Sequence, residues 1–244
     1  MRLLTSASGL KARSGAAWLL TLASLSLPIG LLTGCTEPAP KTSEKASGEL
    51  SGRTGELAYV TDDELAKFVN GTPDNAVKFP EDNFVKGREN LLALKFSDSE
   101  KVLKDGLDAA VKSSAGQTKL GQYCIRLNNV LYEEKKYKEA LKYGILASKI
   151  FYKQPPEQRP VPLWFFNAHM HMGFCYQYLG IYPEAETQLR KAINVAASAP
   201  AGQIDWKFHR LCYFELCDTL KRDHKPKEAK LAQEEMKALE DKHK

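Results

Sequence analysis

The chain has 244 residues, of which 43% are hydrophobic and 27% are charged, a composition typical of a globular domain. Its net charge is +5, but Arg2, Lys11 and Arg13 lie within the first 34 residues, where no acidic residue occurs. The remaining chain therefore carries 32 basic and 30 acidic residues. Because this excess of positive charge is so small, the composition does not support a nucleic-acid-binding surface, and we expect no nucleic-acid partner.

Residues 1–34 predict a signal peptide. A basic stretch, residues 1–14, precedes an apolar stretch, residues 15–32, and the sequence then reads Leu32-Thr33-Gly34-Cys35. This ending resembles the lipobox of bacterial lipoproteins. The resemblance implies a diacylglyceryl thioether on Cys35, cleavage before it and acylation of the new N-terminus. The alternative is an uncleaved transmembrane anchor, but Pro28 and the small residues at the end of the stretch favour cleavage.

The lipobox resemblance implies that the chain is anchored by lipid in a bacterial cell envelope, at the outer membrane or at the periplasmic face of the inner membrane. Thr36 follows the cysteine, and by the sorting rule of enteric bacteria a residue other than Asp favours the outer membrane. Residues 35–60 are rich in Pro, Ser, Thr, Gly, Glu and Lys, which predicts a disordered tether. Residues 61–81 predict an N-terminal capping helix, with Thr61 as its N-cap, and a loop.

Residues 82–244 predict repeated pairs of helices. Small or modest residues recur twelve positions apart, where two crossing helices would touch. These pairs are Gly87 and Ser99, Asn128 and Ala140, Gly173 and Ala185, and Cys217 and Ala229. We predict helices over residues 82–95, 99–113, 117–134, 137–152, 162–179, 183–198, 203–222 and 226–242.

The third pair carries the most specific pattern, His169-x-x-Met172-Gly173-x-x-Tyr176 followed by Tyr182, Ala185, Leu189 and Ala192. This pattern resembles the tetratricopeptide repeat (TPR). The spacing between units, 41 to 45 residues, is longer than the usual 34 and is closer to the long-helix repeats of kinesin light chains. The resemblance implies an all-α, TPR-like solenoid of about four antiparallel helix pairs.

No catalytic, phosphate-binding or metal-binding motif stands out in the sequence. His169 and His171 are two residues apart, so a helix points them in different directions, and we expect no metal site. Cys124, Cys175, Cys212 and Cys217 lie in predicted helices, and we expect buried thiols, with a Cys175–Cys212 disulfide as the alternative. No cofactor is expected beyond the lipid on Cys35.

The resemblance implies that the first helix of each pair lines a concave groove. We expect this groove to bind a protein or peptide partner. The predicted groove residues are Asn129, Tyr132, Asn167, Met170, Phe174, Gln177, Tyr178, Phe214 and Lys221.

The predicted function is a non-catalytic interaction scaffold or assembly factor. Two alternatives remain at this stage. One is an accessory or targeting module of an envelope enzyme, and the other is a protein that binds a small apolar ligand in the groove.

Overall fold

The computed structural model describes residues 79–113 and 116–243, together with Ala66, all within one compact unit, Tyr59–Lys244. These residues form eight α-helices and a 3-10 turn at Pro156–Gln158. The helices are α1 (Glu81–Leu92), α2 (Phe96–Lys112), α3 (Gln117–Glu133), α4 (Tyr137–Lys153), α5 (Pro162–Tyr178), α6 (Tyr182–Ser198), α7 (Trp206–Arg222) and α8 (Pro226–Asp241).

The predicted signal peptide, the lipidated Cys35 and the tether all lie outside the described residues. So does the predicted capping helix, apart from Ala66, which is helical. Among the helices that the structure describes, none combines the length and the apolar character needed to cross a membrane.

The helices pack as four consecutive pairs, α1–α2, α3–α4, α5–α6 and α7–α8. The first helices of neighbouring pairs also contact one another, α1 with α3, α3 with α5 and α5 with α7. The all-α prediction of about four antiparallel helix pairs is confirmed. The four first helices lie side by side and form one surface, called here the first-helix face.

Helix length explains the long repeat. Helices α2 to α7 each have 17 residues, so two helices alone fill 34 positions before any turn is added. Three predicted boundaries differ by three residues, namely the end of α1, which is Leu92 and not residue 95, and two helix starts. Helix α2 begins at Phe96, three residues before the prediction, directly after a tight turn. Helix α7 begins at Trp206, three residues after the prediction, because the carboxylate of Asp205 accepts a hydrogen bond from the backbone N–H of Lys207 and caps the helix.

The twelve-residue pairs meet through side-chain hydrogen bonds as well as small size. The Ser99 hydroxyl donates to the carbonyl of Gly87 at 2.6 Å, and the Asn128 amide donates to the carbonyl of Ala140 at 2.6 Å. In the fourth pair the Cys217 thiol lies 3.6 Å from the carbonyl of Ala229. Each of these contacts joins the two helices of one pair.

The closest approach within a pair involves a different partner from the one expected. A Cβ added at Gly173 would lie 2.8 Å from Cγ of Leu189, and one added at Gly87 would lie 2.5 Å from Cγ of Leu103. The twelve-residue spacing predicts Ala185 opposite Gly173. Ala185 is fully buried, but the side chain that fills the space left by the glycine is Leu189, one helical turn further along.

The same tight turn joins the two helices of every pair. Its second-to-last residue has a positive φ, at Leu94, Lys135, Gly180 and His224, with values between 57° and 75°. The next residue donates its backbone N–H back to the first helix, as in Lys225 to the carbonyl of Leu220 at 2.8 Å. This arrangement is a Schellman motif, for which glycine is the favoured residue.

Ion pairs join the first unit to the second. Glu100 of α2 accepts hydrogen bonds from Lys104 and from Lys136, each at 2.6 Å. Burial by itself would raise the pKa of Glu100, but the hydrogen bonds from the two lysines outweigh it and lower this pKa to about 2. Glu100 is therefore ionised at neutral pH and links two helix pairs.

The same ion-pair arrangement recurs between the third and fourth units. Glu186 of α6 contacts Arg190 at 2.8 Å and Lys225 at 2.9 Å, and these residues hold the same places in their units as Glu100, Lys104 and Lys136. Between the second and third units, the places of the glutamate and of the bridging lysine are taken by Leu141 and Ile181. The central junction thus lacks this ion pair.

We expect His224→Gly to raise the free energy of unfolding by about 1 kcal/mol, because a left-handed backbone costs a side-chain-bearing residue roughly 1 to 2 kcal/mol. Gly180→Ala is the matched reverse change, and it should lower stability by a similar amount, since no atom lies within 4 Å of the added Cβ and only the backbone conformation changes. Chemical denaturation measures both. A lower stability for His224→Gly would show that the imidazole stabilises this turn.

Candidate functional site

The first-helix face divides the predicted groove residues into an interior set and a surface set. The interior residues are between 2% and 8% exposed, and they are Asn129, Asn167, Met170, Phe174 and Gln177. Tyr178 and Phe214 are 55% and 53% exposed, Lys221 is exposed and Tyr132 is half-buried. In this conformation the interior residues have little surface to offer a partner, and we assign them to the packing of the stack.

The interior set follows from the position of α5 between α3 and α7. Helix α5 is buried on every side, since residues 166–175 all lie in the interior. The polar residues nearby bond to neighbouring helices where they can. Gln177 donates to the carboxylate of Asp218 on α7 at 3.0 Å, so it joins two first helices.

An aromatic cluster lies at the junction of the second and third units. We define it as the five rings of Tyr132, Tyr137, His171, Phe174 and Tyr178. Tyr137 and Tyr178 are stacked with their centroids 4.6 Å apart and their planes within 8°. Tyr132 lies between 5.7 and 6.0 Å from each of the other four rings. Tyr178 carries the cluster to the surface, while the other four rings are half-buried or buried.

Two carboxylates lie near the aromatic cluster, since the charge of Glu133 acts on Tyr137 and that of Glu215 acts on Tyr132. Burial raises the pKa of Glu133 to about 7. The pKa of Glu215 is also raised, chiefly by burial, although Gln177 and Arg222 act in the opposite direction. The pKa of Tyr132 is raised, first by burial, then by the hydroxyl of Tyr178 and the charge of Glu215. Because the charge of Glu215 acts on Tyr132, this carboxylate lies close to the cluster.

The repeat pattern predicts Tyr132 and Tyr178 in the groove but does not predict Tyr137, His171 or Glu215 at the same site. A signal was available for Tyr137, since it and Tyr182 occupy the first position of α4 and α6. A ring at that position lies beside the end of a first helix and within reach of the next unit. For His171 and Glu215 no comparable signal exists, because their surroundings depend on how far neighbouring first helices approach one another.

The two histidines of α5 face different helices, as their spacing predicted. His169 is 1% exposed, with Nδ1 lying 2.8 Å from the side-chain oxygen of Gln188 on α6 and Nε2 lying 3.0 Å from the hydroxyl of Tyr152 on α4. Nδ1 therefore donates and Nε2 accepts. Burial lowers the pKa of both His169 and His171 to about 4, so both are neutral at pH 7.

Groups that could support other chemistry are buried or dispersed. Cys124, Cys175, Cys212 and Cys217 are free thiols in the interior, so the alternative Cys175–Cys212 disulfide is absent. Burial raises the pKa of each of these thiols, which disfavours the reactive thiolate. Within the part of the chain that the structure describes, no group of three or more His, Cys, Asp or Glu side chains could hold a metal ion.

Comparison with known proteins gives the fold but no family. No family model matches the sequence, and no curated protein matches it. Among solved structures, BtubC (BKLC) from P. vanneervenii is similar with a TM-score of 0.58 at 13% identity. The match covers 66% of this chain and 63% of BtubC, so the chain spans less than two thirds of that protein's length.

Two further similar structures belong to a putative kinesin light chain from Podospora anserina with nearly identical TPR-like repeats. One has a TM-score of 0.52 at 13% identity and covers 75% of this chain and 84% of the other. The other has a TM-score of 0.50 at 14% identity and covers 64% and 72%. Because these identities are low, the similarity establishes the TPR-like helical-repeat fold and leaves function to be argued from the site.

Proposed function

We propose that this chain is a non-catalytic docking protein that holds a protein partner on its first-helix face. The observation that carries the proposal is the exposure of large aromatic side chains on that face, Tyr178 and Phe214, each more than half exposed. Exposed aromatic residues beside polar side chains are the composition that protein interfaces favour. TPR-like repeats present such extended surfaces for binding, which agrees with this reading of the fold.

The proposal includes a lipid anchor at Cys35 in a bacterial cell envelope. Its support is the order of features along the sequence: a basic stretch, an apolar stretch, Leu32-Thr33-Gly34-Cys35 and then a polar segment of low complexity. An anchor of several acyl chains holds a protein at a membrane, since each buried CH2 contributes about 0.8 kcal/mol. The tether would then give the helical-repeat unit freedom to reach its partner.

For the anchor, we expect the mature chain to begin at an acylated Cys35. Mass spectrometry of the N-terminal peptide from purified membranes is the direct measurement. A Cys35→Ala variant is the control and should remain uncleaved and without lipid. An unmodified Cys35 peptide, or a peptide that continues through residue 34, would contradict the proposal.

For the docking surface, a photo-crosslinking amino acid is placed at one site at a time in living cells. Substitution at Tyr178 or at Phe214 should give crosslinks to the same partner, because both residues lie on the first-helix face. Lys191, which is exposed on α6, is the control and should give none. Glu186 is unsuitable as a control, since it pairs with Arg190 and Lys225 and its loss would disturb the stack. Crosslinks from Lys191 alone would assign binding to the second helices.

A further inference from the structure

An arginine of the chain itself shows how this fold holds a guanidinium group. At the junction of the third and fourth units, Arg222 lies at the end of α7, and its Nε is 2.7 Å from the carboxylate of Asp218. After the charge of Asp218, the hydroxyl of Tyr182, the first residue of α6, contributes to the raised pKa of Arg222, which places this hydroxyl near the guanidinium. A tyrosine at the start of one second helix and a nearby carboxylate therefore bind a cation at the end of the next first helix.

The junction of the second and third units keeps the tyrosine but has neither the cation nor that carboxylate, since Tyr178 and Phe174 stand at the places of Arg222 and Asp218. Tyr137 begins α4 as Tyr182 begins α6, and Tyr178 ends α5 at the place that Arg222 takes in α7. The ring of Tyr178 stacks on Tyr137 where the later junction has a guanidinium beside a tyrosine. Because Tyr178 is 55% exposed, this junction is open to a group supplied from outside.

Burial, then the charges of Tyr178, Cys175 and Glu133, raises the pKa of Tyr137, which places the Glu133 carboxylate near these rings. Glu133 is half-buried, and no ion pair or hydrogen bond to its carboxylate occurs among the described residues. Burial alone accounts for its raised pKa, with no nearby cation lowering it. A half-buried carboxylate of this kind gains stability when a cation binds next to it.

Neighbouring groups favour a cation and do not repel it. His171, 8% exposed, has neither ring nitrogen hydrogen-bonded, and its ring centroid lies 5.8 Å from that of Tyr132. Because burial keeps this imidazole neutral at pH 7, it adds no positive charge and offers an unsatisfied acceptor. Tyrosine faces attract cations through the ring quadrupole, and Glu215 adds a second carboxylate near Tyr132.

We propose that Glu133, Tyr137 and Tyr178 bind an arginine side chain of the partner protein. The inference rests on the proposed docking function and specifies the chemistry that the first-helix face recognises. Arginine fits better than lysine because its planar guanidinium can stack on the exposed ring of Tyr178 while it donates hydrogen bonds to Glu133. The arginine of the partner would bring to this junction the positive charge that Arg222 supplies at the next one.

The test uses the full chain in detergent micelles, with tyrosine rings labelled for NMR, and a short Gly/Ser peptide that carries one arginine. The matched probe replaces arginine by citrulline, which has nearly the same shape and no charge. We expect saturable shifts of the Tyr178 and Tyr137 signals with the arginine peptide, and at least tenfold weaker binding of the citrulline peptide. Glu133→Gln should weaken arginine binding by about tenfold, whereas the control Glu184→Gln, on the exposed start of α6, should not.

The variant Tyr178→Leu tests whether binding needs the aromatic ring face or only apolar surface, because leucine has an apolar side chain but no π system. It should also weaken binding severalfold. Affinity should rise about fivefold between pH 6 and pH 8, since Glu133, with a pKa of about 7, goes from mostly protonated to mostly ionised over this range and its neutral form should bind about tenfold more weakly. Glu133→Gln should remove most of that pH dependence. The other titratable groups near the rings are Tyr132, Cys175, His171 and Glu215, and Asp218 and Arg222 lie next to Glu215.

Three results would overturn the inference. The first is that the citrulline peptide binds with the same affinity as the arginine peptide, which would show that the contact does not depend on charge. Tetramethylammonium could shift the same signals at equal concentration, which would assign the site to a quaternary ammonium group instead of arginine. The third result is that neither peptide binds although Tyr178 still crosslinks to a partner in cells. In that case the docking function would stand without the arginine site. Loss of those crosslinks as well would overturn the proposed function itself.

Discussion

The burial of α5 on every side is the constraint on which the rest of the structure depends. Residues 166–175 are all buried, and the helix packs against α3, α4, α6 and α7. Each large apolar side chain that is removed from water contributes about 1.5 to 3 kcal/mol to the free energy of unfolding. The side chains of α5 therefore stabilise the positions of all four helices that pack against it. Polar groups on this helix must then find partners inside the protein. His169 does so with Tyr152 and Gln188, whereas His171 does not.

The central junction differs from the two outer ones for the same reason. Between the first and second units, and again between the third and fourth, a glutamate on a second helix accepts two basic side chains. At the centre, where α5 packs, apolar residues replace this ion pair and aromatic rings fill the end of the junction. The most distinctive surface chemistry of the chain therefore lies next to its most buried helix. A surface that a rigid helix supports from below can hold a partner without losing much freedom on binding.

The sequence was sufficient to predict the helix pairs because their signals are local. Spacing such as that of Gly173 and Ala185 lies within one unit, and Tyr182-Pro183 marks a helix start. The accessible site was harder to predict because accessibility depends on contacts between units. Met170 and Asn129 hold places that face a groove in the repeat pattern, yet they are 2% and 4% exposed since neighbouring first helices pack over them.

Side-chain size explains a second difference between prediction and structure. The pattern marks Gly173 as the crossing residue but does not state what fills the space beside it, and that residue is Leu189. In the second unit the sizes are exchanged, with Asn128 in the place of the glycine and Gly144 in the place of the leucine. A Cβ at Gly144 would lie 3.1 Å from the Asn128 amide nitrogen. Such exchanges preserve the packing of the two helices. They also make the repeat harder to detect from the residue type at a single position.

Native-state hydrogen exchange measures the central claim, that α5 is the helix on which the stack depends, most directly. The account predicts that backbone amides of residues 166–175 exchange only through unfolding of the whole helical unit, with a free energy equal to that from chemical denaturation. Helices α1 and α8, the first and last of the helices that the structure describes, should exchange through smaller local openings. Amides of α5 that exchange faster than those of α1 or α8 would contradict it.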